Sequence, residues 1–495
     1  MQSIPQAKLS TRILKVVFFF FFFILFVLMR EAARTTVLSQ RWKNLWTNTI
    51  MFHPNLVFDE GVVSKNPTQC EKYVKGVNQV MKLHKATTIE ELTIGFALPK
   101  EYSDSMNSWV QFAAKKRVQK LNLNLYSYGL NMELMEHNCR FSRDNRRLYW
   151  WRLRDCHMSK VNVDDTDIDC LLSNSPNLEN LCLRYSHNIR NLKVSKARKL
   201  KCLKICKCRW MRTLSVFAPN LKDLFICSRE LSYMLGIMRP FLQESIWIYA
   251  PNLVSFRFCG AVTSRSPLVF RDVDQPPHLS YVSLGLMNSC RTNIDCFQEL
   301  FTHFSQVKRL RLDMELKVVL DMVQRNQISH QFPHQFINLE HLEMTIKCPP
   351  RVISLLWLCT LVKAAPFLSS LSIKLCYLEI SSKRKRMFEH ELIDIEWKDD
   401  DIPNKVNSNI RQSHHSLKVV ELVGFAGFRN QIELVLHLVE IAVLLEKIIL
   451  DVRMPRDYCQ DGILIYNNNH NAETCRAWAQ HLKAQIHRKI DVVII

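Results

Sequence analysis

The sequence predicts an α/β fold: a leucine-rich-repeat solenoid with a short α-helical segment near its N-terminus and a smaller α/β unit at its C-terminus. Three observations predict it. Apolar residues recur as L-x-x-L-x-L, with triplets beginning at Ile89, Val118, Leu148, Leu178, Leu200, Leu221, Leu253, Leu279, Val307, Leu339 and Leu368. Their starts lie 21 to 32 residues apart, the period of a strand plus a return segment. The tripeptide Pro-Asn-Leu recurs at Pro176–Leu178, Pro219–Leu221 and Pro251–Leu253, marking a turn that feeds each strand. Finally, 495 residues with 47% hydrophobic and 23% charged are too many for one ordinary compact core but suit an elongated repeat.

One such unit cannot bury its own apolar side, so neighbours must stack. The apolar pairs expected inside include Leu92/Ile94, Leu121/Leu123, Trp151/Leu153, Leu181/Leu183, Leu203/Ile205, Leu310/Leu312 and Leu371/Ile373. Alternation along each strand then sends the flanking residues to the open, concave face. That face is expected to carry Trp150, Arg152, Arg154, Cys182, Arg184, Lys204, Phe225, Arg257, Arg309 and Arg311. Secondary triplets at Ile189/Leu192/Val194 and Met211/Leu214/Val216 fall halfway between main ones and predict extra strands on the return side. Cys206, Cys227 and Cys259 hold one register position and are expected to form a column at one edge of the sheet.

The charge is strongly basic, +21, and unevenly spread. From Asn180 to Lys222 there is no Asp or Glu, while Arg184, Arg190, Lys193, Lys196, Arg198, Lys199, Lys201, Lys204 and others crowd the stretch. A field of that sign attracts anions, and arginine forks suit carboxylate and phosphate. The expected partner is an acidic or phosphorylated protein; a small polyanion on the same face is the alternative, and simple solvation of the charge is the bland one. Nucleic acid ranks lower and no specific nucleic acid is expected, because the stretch lacks the interleaved aromatics on which bases stack.

Other chemistry is disfavoured. With 10 glycines the chain shows neither GxxxxGK[ST] nor GxGxxG, and no HExxH or GxSxG motif. A non-catalytic role without cofactor is expected. The 17 cysteines are scattered through apolar strands rather than paired, which points to a reducing compartment, nucleus or cytoplasm. Cys202, Cys206 and Cys208 lie close but lack paired C-x-x-C spacing, so small-residue packing is expected there rather than zinc. Lys383–Arg386 reads as a loop cluster or a nuclear address.

The front of the chain, 1–29, is atypical. Val16–Met29 is wholly apolar and contains Phe18–Phe23. It is shorter than the ~18–20 residues that span a bilayer, and its readings are intron-derived sequence, a membrane anchor or a buried helix. Glu31–Trp46, EAARTTVLSQRWKNLW, reads as two short helices with Ser39 as an N-cap. Val37, Leu38, Trp42, Leu45 and Trp46 supply its apolar face and Arg41 and Lys43 its basic one; spacing alone allows core or an interface anchor for the two tryptophans.

This stretch, followed by Asn55–Glu60, resembles the second half of the F-box in plant F-box proteins with leucine-rich repeats and an FBD domain. The resemblance implies docking on an SKP-type adaptor, and through it on cullin, by Val37, Leu38, Arg41, Trp42, Leu45 and Trp46. The family's Leu-Pro-Asp-type first helix is absent, replaced by the phenylalanine run. The expected domains are a partial F-box over 30–60, the solenoid over 61–390, a linker over 391–413 and an FBD-like domain over 414–495. In the last, a strand is expected from His415 to Leu422, then a turn with Gly424 and Gly427, a helix over Asn430–Leu445 with Ile432, Val435, Leu436, Val439 and Val443 inward, a strand over Leu445–Val452, a helix over Asn471–Ala484 and a closing strand. The resemblance implies a substrate-recognition subunit of an SCF-type ligase; the alternative is a binding scaffold that does not reach the ligase.

Overall fold

The computed structural model describes residues 51–59, 67–96, 98, 100–125, 150–208, 210–227, 245–260, 268–270, 279–286, 304, 306–315, 336–348, 354–377, 413–453, 472–486 and 489–495. The apolar run Val16–Met29, the F-box-like stretch Glu31–Trp46, the Lys383–Arg386 cluster and all but the last residue of the 391–413 linker lie outside them. The chain folds as two compact units: residues 1–211 with 215–220, and 212–214 with 221–495.

The first unit is a parallel ladder. Its strands are β1 (Asn55–Asp59), β2 (Glu91–Gly95), β3 (Lys120–Asn124), β4 (Asp155–Ser159), β5 (Asn180–Arg184) and, beyond the short return strand β6 (Asn191–Val194), β7 (Cys202–Cys206). Parallel neighbours need a crossover, and three helices return the chain: α1 (Pro67–Leu83), α2 (Ser103–Lys115) and α3 (Asp165–Asn174). The start of α3 follows from sequence. Asp164 accepts from Asp167 N at 2.9 Å, and the Asp167 carboxylate accepts from Asp164 N at 3.2 Å, a reciprocal cap that satisfies two otherwise orphaned donors.

The second unit repeats the plan. Its parallel strands are β9 (Asp223–Cys227), β11 (Ser255–Gly260), β13 (Tyr281–Leu286), β14 (Arg309–Glu315), β15 (His341–Cys348), β16 (Ser370–Tyr377), β17 (Val419–Val423), β18 (Lys447–Asp451) and β19 (Asp491–Ile494). Its helices are α4 (Leu358–Lys363), α5 (Arg429–Ile441) and α6 (Ala472–Gln485). The short strands β10 (Ser245–Tyr249) and β12 (Leu268–Phe270) pair in parallel outside the ladder. The strand β8 (Thr213–Phe217) falls on the secondary triplet Met211/Leu214/Val216, where a second return strand is expected. Strand β17 pairs with β16 from Ser370↔Val419 to Lys374↔Val423, so the C-terminal section adds rungs to the same ladder.

Two devices repeat from rung to rung. The residue before each strand offers its carbonyl to two successive N–H groups of the next strand: Gln119 O to Arg154 and Asp155, Arg154 O to Glu179 and Asn180, Glu179 O to Lys201 and Cys202, Lys308 O to Glu340 and His341. Just upstream, a tight turn delivers the first leucine of each triplet, with Leu178 N on Ser175 O, Leu200 N on Ala197 O, Leu253 N on Ala250 O and Leu339 N on Phe336 O at 3.1–3.2 Å. The Asn of Pro-Asn-Leu ties one turn to the preceding one: Asn177 Nδ2 donates to Trp151 O at 2.6 Å and Asn220 Nδ2 to Arg198 O at 2.8 Å. The motif read as a turn is therefore also a staple between rungs.

The inward residues are those the alternation predicts, with three corrections. In the third L-x-x-L-x-L unit the strand is Asp155–Ser159, not the stretch through Trp151 and Leu153. Leu153 N closes the turn on Trp150 O at 2.9 Å, so Leu153 is the first apolar residue of the triplet, and Cys156 and Met158 fill the next two positions, both buried. Cysteine and methionine in leucine slots hid the true register. The ladder also begins earlier than Ile89: Leu56 is fully buried in β1, which pairs Asn55↔Glu91 with β2. In α5 the buried residues are Gln431, Leu434, Val435, Leu438 and Ile441. Of the face expected there only Val435 is on it, and Val443 is exposed, because the helix ends before it.

Candidate protein-binding face

Each outward side chain stands in a row with its partners on neighbouring strands, because parallel strands pair in register about 4.8 Å apart. In the first unit the middle row runs Thr93, Asn122, His157, Cys182, Lys204 and the next row Gly95, Asn124, Ser159, Arg184, Cys206. From Asn122 onward these two rows hold no carboxylate. Asp155, two residues before His157 on β4 and so one row earlier, accepts from Asn180 Nδ2. The His157 imidazole is held below its ordinary pKa, first by burial and then by the Arg184 and Lys204 charges. Burial raises the Cys182 thiol against the pull of the same two cations, so it stays protonated. His157 Nε2 and Asn122 Oδ1, on directly paired residues, are buried without a hydrogen-bond partner.

The basic stretch from Asn180 is partly answered by acids upstream. Lys196 pairs with Asp169 and Lys201 with Glu179, each at 2.7 Å. The amides of Arg190 and Asn191 donate to the Asp165 carboxylate at 2.8–3.0 Å.

In the second unit the predicted cations are largely neutralised by their own chain. Arg257 makes two bonds to Asp223, at 2.9 and 3.2 Å, while its guanidinium lies 4.9 Å from the centre of the Phe225 ring. Arg311 reaches Asp313 at 3.3 Å and Glu343 at 3.5 Å, and Glu343 also holds Lys374 at 2.6 Å. Arg309 is exposed, in register with Tyr281 and His341. Cys227 and Cys259 are paired in register as expected, next to Gly285; Cys206 holds the same position in the first unit.

Trp150 is a correction. It is 3% exposed and forms the buried corner of the turn, where other rungs place Ser175, Ala197 or Ala250. Arg152 lies in that turn and Arg154 between it and β4, neither of them on a strand. Trp151, expected inside, is 47% exposed, with the Arg117 guanidinium 5.8 Å from its ring centre. The face residues sequence reasoning missed are Asp155 and His157, whose only signal was the weak triplet Leu153/Cys156/Met158. Among the described residues no group of His, Cys, Asp or Glu is arranged to hold a metal, and no helix is long and apolar enough to cross a membrane. The adaptor-binding set Val37, Leu38, Arg41, Trp42, Leu45 and Trp46 lies outside the described residues.

Comparison with known proteins agrees with this architecture. The family model described as the At1g61320/AtMIF1 LRR domain matches residues 80–236 and 231–493, most of the chain. The chain belongs to this leucine-rich-repeat family. Within the family's span fall β2 to β7 of the first ladder and the second ladder down to its C-terminal rungs β17 to β19, while β1 precedes it. Among curated Arabidopsis thaliana proteins, the F-box/FBD/LRR-repeat protein At2g04230 is 29% identical over 179 residues, 32% of this chain and 38% of the relative. The F-box/LRR-repeat protein At3g26922 is 29% identical over 168 residues, 31% of this chain and 52% of the relative. F-box/LRR-repeat protein 25 is 26% identical over 167 residues, 31% and 58%. The matches thus span between about a third and three-fifths of these relatives, and the similarity is to plant F-box/LRR-repeat proteins.

Proposed function

We propose that this chain is a substrate-recognition subunit of an SCF-type cullin–RING ubiquitin ligase that holds a protein on the outward strand face of its repeats. The observation that carries the reading is the parallel ladder itself: it presents rows of polar and charged side chains at a fixed spacing, on a rigid backbone suited to an extended protein surface. The relatives that bear F-box in their names support the ligase half, together with the RTTVLSQRWKNLW stretch. The chain does no chemistry of its own; it raises the concentration of its substrate beside the ubiquitin-charged enzyme. Affinity capture of the full chain with a purified SKP-type adaptor tests this. Retention of the adaptor by the wild-type chain, lost on Trp42→Ala with Trp46→Ala, is the expected result. Absence of adaptor from the wild-type capture would leave the second reading, a protein-binding scaffold outside the ligase.

A further inference from the structure

We propose that the outward face of β4, β5 and β7 is a phosphate-monoester site that takes a phosphorylated serine or threonine of a partner protein, with His157, Arg184 and Lys204 as its ligands. This deepens the reading that the strand face binds protein, and rests on it. The geometry is set by register. His157, Cys182 and Lys204 stand directly opposite one another on three adjacent strands, so the histidine and lysine backbones are about 9–10 Å apart. Between them is the small Cys182 side chain, leaving a shallow seat between two longer flanks. Arg184 is two residues further along β5 on the same side of the sheet, where it meets the Cys206 sulfur and brings a forked donor that matches a tetrahedral oxyanion.

Several observations on the page point to an anion there. No carboxylate occupies the outward positions from Asn122 to Cys206 in the middle and following rows, whereas the comparable arginines of the second unit are held by Asp223, Asp313 and Glu343. His157 Nε2 and its neighbour Asn122 Oδ1 carry no hydrogen bond although buried, so the protein itself does not engage the imidazole through that nitrogen. The field deepens toward the strand ends, where Lys160 and Lys207 each follow a strand in the left-handed conformation, φ 60° and 56°, and the Lys207 ammonium lies 5.2 Å from the Tyr185 ring centre. A phosphoryl group carries close to two negative charges and three acceptor oxygens, enough for all three ligands at once; a single Asp or Glu carboxylate offers two oxygens and one charge.

The test uses the full chain and a nine-residue glycine–serine peptide with one central phosphoserine, measured by calorimetric titration against the same peptide unphosphorylated and the same peptide with a central glutamate. Inorganic phosphate is the fourth titrant. The phosphopeptide should bind at least tenfold tighter than either control and compete with inorganic phosphate. Arg184→Ala and Lys204→Ala should each weaken it about tenfold or more, His157→Gln less, and Arg257→Ala not at all. All four substitutions lie on the outward strand face, and unchanged melting would show that the variants fold. Equal binding of the three peptides, or phosphopeptide binding that survives the double variant Arg184→Ala/Lys204→Ala, would overturn the proposal. Inorganic phosphate binding unaffected by these substitutions would likewise count against it. The ligase reading is separated by the adaptor capture above: a chain that retains the adaptor but does not discriminate phosphoserine loses only the phosphate site.

Discussion

His414 is 4% exposed and works through both ring nitrogens. Its Nε2 donates to Ala365 O at 2.9 Å, and its Nδ1 accepts from Leu417 N at 3.1 Å and Ser416 N at 3.3 Å. The neutral ring thus does for the turn before β17 what a backbone carbonyl does on other rungs. A proton on Nδ1 would remove that acceptor. Burial accordingly holds its pKa below the ordinary value, and the same cause lowers His53, His84, His157 and His437. For a base whose folded pKa is depressed, the unfolded chain binds the proton more readily. The stability these rings contribute is therefore present above the unfolded histidine pKa of about 6.5 and is lost as pH falls toward the folded values. Melting temperature should fall between pH 7.5 and 5.5; a flat profile would refute the argument. His414→Ala should cost about 1–3 kcal/mol by orphaning buried backbone groups, and should shallow the acid dependence.

At the scale of an element, the loop between β17 and α5 is built on one glutamine. Gln431 is fully buried; its Oε1 accepts from the amides of Ala426, Gly427 and Phe428 at 2.9–3.2 Å, and its Nε2 donates to Gly424 O at 3.1 Å. Gly427 has φ +78°, and a Cβ there would fall 2.5 Å from Trp478 on α6. Gly427→Ala therefore meets both a left-handed backbone and a ring, and should destabilise by more than about 1 kcal/mol. Gln431→Leu fills the volume but abandons the donors, at a cost of about 1–3 kcal/mol or more. Urea denaturation of each variant against wild type checks both, and an unchanged midpoint for Gly427→Ala would show that Trp478 yields freely. The two glycines were legible in sequence as a turn. The glutamine was not, since a polar residue in a helix normally reads as solvent-facing. The same limit explains α5: a one-residue error in phase turned the expected face away from Leu434, Leu438 and Ile441. Strands were read better, because a two-residue period with leucine on the inner side leaves little room for error. It failed at β4, where Cys156 and Met158 replace the leucines, and so the sequence list of face residues kept Trp150 and missed His157. The charge of the face could be counted from sequence, but its neutralisation in the second unit could not. Asp223 and Arg257 are 34 residues apart, and only the register puts them on neighbouring strands.

For the molecule as a whole, a ladder of parallel rungs makes stability nearly one-dimensional, since each rung touches chiefly the rungs beside it. The second unit shows this in its strand pairs, where each strand from β9 to β19 pairs in register with the strands beside it and no strand bridges distant rungs among those described. A cavity in one rung should thus be felt locally. Leu371 in β16 is fully buried between Leu342 and Val420, and Leu371→Ala should cost about 2–5 kcal/mol. Hydrogen exchange followed by mass spectrometry on the full chain should show faster exchange in β15, β16 and β17, decaying outward, with β9 and β11 close to wild type. A uniform loss of protection from β9 to β19 would mean that the unit unfolds as one cooperative block, and that its outward face could not be loosened at one rung without loosening all of them.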